Sequence, residues 1–437
     1  MQNKFKNTPI KLKLIHIELV LYVLFSNFYI NLIGSISISE LWVLLLTPFI
    51  LRKKLFLQFP LLKNIAFIYA FLFLSQLISE LILGNEFNNM AKGLMTTVVS
   101  FLSLIYLVDR LKKNYHLIVL ILLFFTIRDI YFMNSTGLGE NSVSFNLESN
   151  SFFKYKITPI LTDFALFISF FLLRRGYKTL TIGMFMGLIL IYISFSARSA
   201  SLVLFFCAIM LLFGENLVKN RKRILPGLLI VMVVSYGGYI GWVKYQLTGE
   251  LRVRNEQIDR MRNPYNPFEM LEKGRGEFFV GIMAFKDAFL WGHGAWTTGQ
   301  DTKYVHELQK IQGNIDSENI TGLIPAHSII VGAGVNNGIF AFVFISILIV
   351  FFFRLQFSIF KDMIKTPLAM IFLSQIIGLF WTSLFSPMAH FRVSLPFMFA
   401  ITLILYTNTQ KYKRLISLSK KKEALKQNEN NTSIQII

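Results

Sequence analysis

The sequence predicts an all-α, polytopic membrane protein of about twelve transmembrane helices, with a large extracytoplasmic loop between helices nine and ten. Three observations carry that fold class. Of 437 residues, 54% are hydrophobic and only 16% are charged, against about 25% charged in an ordinary soluble domain. The apolar residues, 45 Phe among them, gather in runs of about 20, the length that crosses a bilayer. Basic residues recur between alternate runs, as they do in cytoplasmic loops. A soluble globular enzyme is excluded.

The runs fall near 14–34, 36–51, 62–83, 92–108, 115–133, 157–173, 179–196, 199–213, 224–243, 326–353, 367–385 and 393–408. The second is short, and the seventh and eighth are close enough to form one bent hairpin. With a cytoplasmic N-terminus, the inner segments are the tail with Lys4, Lys6, Lys11 and Lys13, then Arg52 to Lys63, Arg110 to Lys113, Arg174 to Lys178, Lys219 to Arg223, Arg354 to Lys365, and the end from Lys411. They hold 28 of the 44 Lys and Arg against five acids. The formal charge of +20 is therefore a topology signal, and no nucleic-acid partner is expected. The first run follows a basic tail like a signal peptide, but no small-residue cleavage site follows it, so it reads as a retained helix.

This divides the chain into helices one to nine (1–243), the large loop (244–325), helices ten to twelve (326–408) and a basic cytoplasmic tail (409–437). No internal repeat is evident, and the polar end after Lys420 is expected to lack structure. The large loop carries ten Lys/Arg and eleven Asp/Glu, a charge balance that suits a folded subdomain. Its stretch GEFFVGIMAFKDAFLWG suits a helix lying on the membrane surface. A second outer segment spans 134–156.

The lone cysteine, Cys207, rules out a disulfide framework or a multi-thiolate metal site. No phosphate loop, HExxH zinc helix, GxSxG elbow or Asp-x-Asp pair occurs, and no metal or cofactor is implied. Arg198 sits between two apolar runs beside Ser194, Ser196, Ser199 and Ser201. Arginine at membrane depth costs about 2.5–3.5 kcal/mol on insertion scales. It reads either as a phosphate clamp with a planar fork of donors or as a snorkelling hairpin marker. Arg275 lies between two glycines before the amphipathic stretch, and Gly292-His293-Gly294 follows as a tight turn.

His327 comes two residues after Pro325, which is placed as a helix-start proline. This puts His327 in the first turn of the tenth span, where the helix dipole keeps imidazole neutral and able to accept a proton. An interfacial histidine is also a common polar helix start. Gly334 and Gly338 form a GxxxG pair suited to close helix packing, and Asn336 and Asn337 are placed to bond across helices. His16, Glu18 and Glu80 fall within apolar runs and could mark a proton path; His16 and Glu80 lie near span ends, where snorkelling is the easier explanation. Asp163 and the pair Arg128-Asp129 suggest a polar pocket or a structural ion pair.

With these residues in place, the chain resembles the O-antigen ligase and O-antigen polymerase superfamily of bacterial envelope glycosyltransferases. The likeness covers the twelve-span layout and the outer loop between spans nine and ten. Ser196-Ala197-Arg198 matches the family's membrane-edge arginine. Arg275, the amphipathic stretch and Gly292-x-Gly294 match the large-loop pattern. His327-Ser328, nine residues and Gly338 match the ligase-type pattern, with Ala341 at the usual small residue. Residues 1–190 share only the hydrophobic layout.

The resemblance implies a bacterial inner-membrane enzyme with both termini cytoplasmic and its active site on the extracytoplasmic face. It implies metal-independent, inverting transfer of a glycan from undecaprenyl diphosphate to an acceptor sugar. Arg198 and Arg275 would bind the diphosphate, His327 would act as base, and Ser328, Gly292, Gly294 and Gly338 would support them. Expected partners are the lipid-linked donor, an acceptor glycan (a lipid-linked repeat or lipid A core), membrane lipid, and chain-length regulator or flippase proteins of the same pathway. Polymerisation of O-antigen or capsule repeats is the reading taken, because polymerases are the more numerous branch; ligation to lipid A core is the alternative. A polymerase needs a second basic site, for which Lys154, Lys156, Arg252, Arg254, Arg260 and Arg262 are candidates, unless Glu250, Glu256 and Asp259 balance those charges. A flippase or transporter would be expected to show paired repeats and broken helices, and neither is visible in the sequence.

Overall fold

The computed structural model describes residues 14–31, 34–51, 55–112, 116–133, 152–195, 197–219, 224–248, 256–259, 261–296, 302–312 and 323–434. Its helices are α1 (Leu14–Leu24), α2 (Ile38–Leu51), α3 (Leu61–Leu83), α4 (Phe87–Leu111), α5 (Leu117–Tyr131), α6 (Thr158–Arg174), α7 (Lys178–Ser194), α8 (Arg198–Lys219) and α9 (Ile224–Leu247). Then come α10 (Pro267–Gly274), α11 (Gly276–Asp287), α12 (Thr302–Gln312), α13 (Ile329–Met363), α14 (Ala369–Phe385), α15 (Ala389–Val393) and α16 (Leu395–Ile434). Each apolar run of the sequence contains one helix. Among the described residues, six stretches are long and apolar enough to cross a membrane: Leu61–Leu83, Phe87–Leu111, Phe153–Arg174, Arg198–Glu215, Ile329–Met363 and Ala389–Ser419. Shorter apolar helices accompany them.

Leu45, Phe67, Leu190 and Val350 point outward from their helices and are exposed. Soluble proteins rarely leave so much apolar surface uncovered, so the protein is membrane-embedded. Inside, α13 packs against α3, α14 and α16, and α4 against α2, α3 and α16. Phe352 of α13 stacks on Phe399 of α16 with ring centroids 3.8 Å apart. One turn further on, buried Gln356 donates to Thr402 Oγ1 across the same pair at 3.0 Å. Such interhelical bonds contribute about 0.6 kcal/mol each within a membrane.

Several expectations are corrected. The first run is helical only to Leu24; Phe25–Asn27 forms a 3-10 turn, and Tyr29–Asn31 pairs antiparallel with Ser35–Ser37. Asn31, Gly34 and alternating Ile and Ser residues favour a hairpin over continued helix. The hairpin is tied down by Arg392, which donates to Ser35 O at 3.0 Å and pairs with Glu40 at 2.8 Å. The polar tail continues α16 to Ile434, because Lys, Glu, Ala, Leu and Gln are good helix formers and neither Gly nor Pro interrupts them. Residues 1–13, most of the 134–156 segment, and Ser196, Glu250, Arg252, Arg254 and Arg260 lie outside the described residues.

The largest correction concerns broken helices. α13 leaves helical geometry at Asn337 (φ −134°, ψ 20°) and Gly338 (φ 74°, ψ −167°). The turn-prone Asn336-Asn337-Gly338 interrupts the apolar run at this point, although the GxxxG spacing alone reads as helix packing. The segment after α11 covers the break. His293 N donates to Val335 O at 2.7 Å, Gly294 N to Asn336 O at 2.8 Å, and Ile339 N to Phe289 O at 2.9 Å. Backbone groups freed inside a membrane need such partners. The approach is close enough that a Cβ on Gly338 would lie 2.1 Å from Leu290 O, and one on Gly292 2.6 Å from the Asn336 backbone.

Two glycine substitutions separate conformational strain from steric clash. Gly84 ends α3 with φ 63° and open space around its Cβ position, so Gly84→Ala should cost about 1 kcal/mol from strain alone. Gly338→Ala adds a backbone collision and should cost at least about 2 kcal/mol more. Thermal unfolding of both variants in detergent checks the difference; equal melting shifts would contradict the docking described.

Candidate functional site

Arg198 is the first residue of α8. A cation there opposes the helix dipole by about 0.3–1 kcal/mol, so other contacts must hold it. Its guanidinium carbon lies 5.2 Å from the ring of Trp242 in α9, and Nη1 is 2.9 Å from Met270 Sδ in α10. α9 is fastened to the segment before α10 by Tyr239, whose hydroxyl donates to Pro264 O at 2.6 Å. Asn266 then caps α10 by accepting from Phe268 N at 3.0 Å.

Arg275 occupies the joint between α10 and α11. Nη1 donates to Phe385 O at 3.3 Å, at the C-terminus of α14, where the dipole favours a cation. The guanidinium carbon lies 4.9 Å from the Trp381 ring and 5.5 Å from that of Phe385. Burial pushes its pKa down, while Glu277 and Tyr155 pull it back up; an arginine stays protonated under such a shift. Among the described residues no carboxylate pairs with Arg275. Arg198 reaches α10 at Met270 and Arg275 closes that same helix, so the fold brings the two sequence candidates to one short helix.

His327 is not in the first turn of a helix. Residues 324–328 are not helical, and α13 begins at Ile329. The N-cap is Ser328, whose buried Oγ accepts from Val331 N and donates to Ser383 O, both at 3.1 Å. A proline cannot start the helix at 325 when the serine three residues on caps it. Ala326 packs toward Gly281 of α11 and Ser328 is buried, so His327 between them is exposed, with no hydrogen bond among the described residues. His390 lies in α15, and Met388 just before that helix approaches Gly332 in the first part of α13, which Ala326 also faces. The sequence reading passed over His390, although Ser386-Pro387 between the last two apolar runs marks a joint.

The supporting residues turn out to shape the backbone. Ser328 caps α13; Gly292 (φ 75°) and Gly294 (φ 90°) let the segment lie on α13, and Gly338 forms the break. Gly334 gives close packing, as expected, but against Phe285 of α11, whose ring a Cβ there would meet at 2.8 Å. Within the turn, His293 Nε2 donates to Ala284 O at 2.9 Å. Residues Phe153–Ile157 wind as a π-helical turn before α6, a form frequent at functional sites. Tyr155 is exposed there, with Lys154 Nζ 4.8 Å from its ring. Lys156 Nζ donates to Phe132 O at 3.3 Å, and Arg262 is exposed.

The intramembrane charges are not snorkelling. Glu80 is buried and accepts three hydrogen bonds: from Ala295 N at 2.8 Å, Asn337 Nδ2 at 2.7 Å and Asn85 Nδ2 at 2.6 Å. Asn337 thus bonds across helices as expected. His16 is buried, and Glu18 pairs with Arg110 at 2.7 Å. Arg128 and Asp129 form an ion pair at 2.6 Å, and Arg128 also donates to Ser26 Oγ at 2.7 Å. Asp163 is within range of both charges.

No protein-family model matches the chain, and comparison with curated proteins gives no match. The functional argument rests on the geometry and on the residue patterns.

Ser328 and His327 should separate folding from chemistry. Ser328→Ala removes a buried cap and should cost about 1 kcal/mol. His327→Ala removes an exposed ring and should leave stability within about 0.5 kcal/mol. Paired melting curves in detergent test this; a large loss from His327→Ala would make that residue structural.

Proposed function

We propose that the protein is an inverting, metal-independent glycosyltransferase of the O-antigen polymerase and ligase type, acting at the outer face of the bacterial inner membrane with twelve spans and both termini inside. The observation that carries this reading is the pairing of Arg198 and Arg275. Two guanidiniums gathered at α10, each over a tryptophan face, suit a ligand with two adjacent negative charges. A diphosphate at the membrane surface is such a ligand.

In this reading the donor is a glycan on undecaprenyl diphosphate. The acceptor hydroxyl attacks the anomeric carbon from the face opposite the diphosphate. The bond from that carbon to the diphosphate oxygen breaks, and the leaving group departs with the electron pair. Arg198 and Arg275 stabilise the released charge, and His327 takes the hydroxyl proton. The exposure of His327 leaves its ring open to an acceptor, and His390 beside it is a further candidate to orient one.

Polymerisation of lipid-linked repeats is the proposed reaction. Lys154 and Lys156, the cations of the turn before α6, favour it, because a polymerase must hold a second lipid diphosphate. The transport alternative gains a broken helix in α13, yet the backbone groups at that break are bonded to residues 289–294 and are not free to coordinate cargo.

The test is a gel of surface polysaccharide from a deletion strain carrying wild type or variants at equal protein level. Wild type should restore the long-chain ladder. His327→Ala, Arg198→Ala and Arg275→Ala should leave single repeats on the terminal acceptor, with activity down at least about 100-fold. Bare acceptor with polymer accumulating on the lipid carrier would make the enzyme a ligase. A full ladder from His327→Ala would remove that residue as the base.

A further inference from the structure

Glu80 presents a feature that the glycan-transfer reading does not require. It lies one turn before the end of α3, 1% exposed, and among the described residues no cation pairs with it. A carboxylate buried in a membrane protein without a counter-ion is costly. Here three N–H groups from three parts of the chain support it: Asn85 after α3, Asn337 at the break in α13, and Ala295 after α11. Asn85 Nδ2 also donates to Ala295 O at 2.9 Å, and Ser79 Oγ donates to Trp291 O. Gly93 of α4 lies so near Ala295 that a Cβ there would stand 2.5 Å from the alanine methyl. The bond to Ala295 N also precedes Trp296, whose φ of 55° is the sole positive φ of a non-glycine among the described residues. Such strain persists only where its surroundings enforce it.

The consequence is geometric. Arg275 stands immediately before α11, and the fastened segment 289–296 begins immediately after it. His327 stands before the first part of α13, and the break stands after that part. These two stretches lie side by side through Val280, Ala284, Val331 and Val335. At one end both meet α14, α11 through Phe278 on Phe385 with centroids 5.6 Å apart and α13 through Ser328 Oγ on Ser383 O, and at the other they are joined by Glu80. We propose that Glu80 is a positioning residue, whose carboxylate fastens residues 289–296 to the break in α13 and thereby fixes Arg275 relative to His327. As a statement about catalysis this rests on the glycan-transfer reading; as a statement about structure it does not.

Charge matters in this arrangement. Charge-assisted hydrogen bonds are about twice as strong as neutral ones, and a glutamine amide would set an N–H against one of three donors. In Glu80→Gln, with the arginines and histidine intact, kcat should fall at least about tenfold while the donor KM moves less than about threefold. The exchange Glu80→Gln with Asn337→Asp restores a donor–acceptor pair across α3 and α13 and should recover part of kcat. Spin labels at Met283→Cys in α11 and Val343→Cys beyond the break, in a Cys207→Ala background, should give one narrow distance in the parent and a broader or shifted one with Glu80→Gln. Asn337→Ala, which removes a single donor, serves if Glu80→Gln fails to fold.

An unchanged distance, or an unchanged kcat despite a changed distance, overturns the proposal. Should the parent protein transfer no glycan, the reading of the function falls, and the distance measurement alone decides whether Glu80 fastens the segment.

Discussion

The buried Glu80 carboxylate and the helix break it faces form the constraint on which the candidate site depends. A helix interrupted within a membrane leaves peptide groups without partners, and each unsatisfied group costs several kcal/mol. In this protein the chain after α11 supplies those partners in a short ladder, and Glu80 fastens that chain from the opposite side. The glycines at 292 and 338 follow from the same requirement, because two backbones meet there with no room for a Cβ, and Gly294 turns the chain with φ 90°. The break, the covering segment and the carboxylate therefore form one unit.

That unit fixes α11 on α13, and the site follows from it. Arg275 arrives at the end of α14, where a free carbonyl and two aromatic rings receive it. His327 is turned outward because the residues on either side of it are turned in. Arg198, from a different helix, is held on Trp242 within reach of the charge of Arg275. Two like charges gathered at α10, each over a tryptophan ring, are the physical ground for proposing an anionic ligand, and the histidine gives the proposed transfer a proton acceptor.

Much of this architecture was legible in the sequence, since apolar runs and basic punctuation report the solvent of each segment directly. Every run contains a helix, and Arg198, Arg275 and His327 were singled out for their placement at run ends. The places where the reading failed share one cause: they depend on contacts between distant parts of the chain. Asn336-Asn337-Gly338 is a turn-prone interruption of the apolar run, but its GxxxG spacing reads as helix packing, and the docked segment is what establishes the break. Glu80 was assigned to snorkelling from its position in the run, whereas its three donors lie up to 257 residues away. His327 was placed inside a helix by Pro325, but Ser328 had the stronger claim as cap. His390 belongs to the site only through tertiary proximity.

The most direct test of the proposed chemistry uses the purified protein in liposomes, supplied with an oligosaccharide linked to undecaprenyl diphosphate. The account predicts release of undecaprenyl diphosphate in step with growth of the glycan on a second lipid-linked repeat, and loss of both with His327→Ala or Arg198→Ala. Donor that crosses the bilayer intact, with no lipid diphosphate released, would contradict glycosyl transfer and identify a transporter instead.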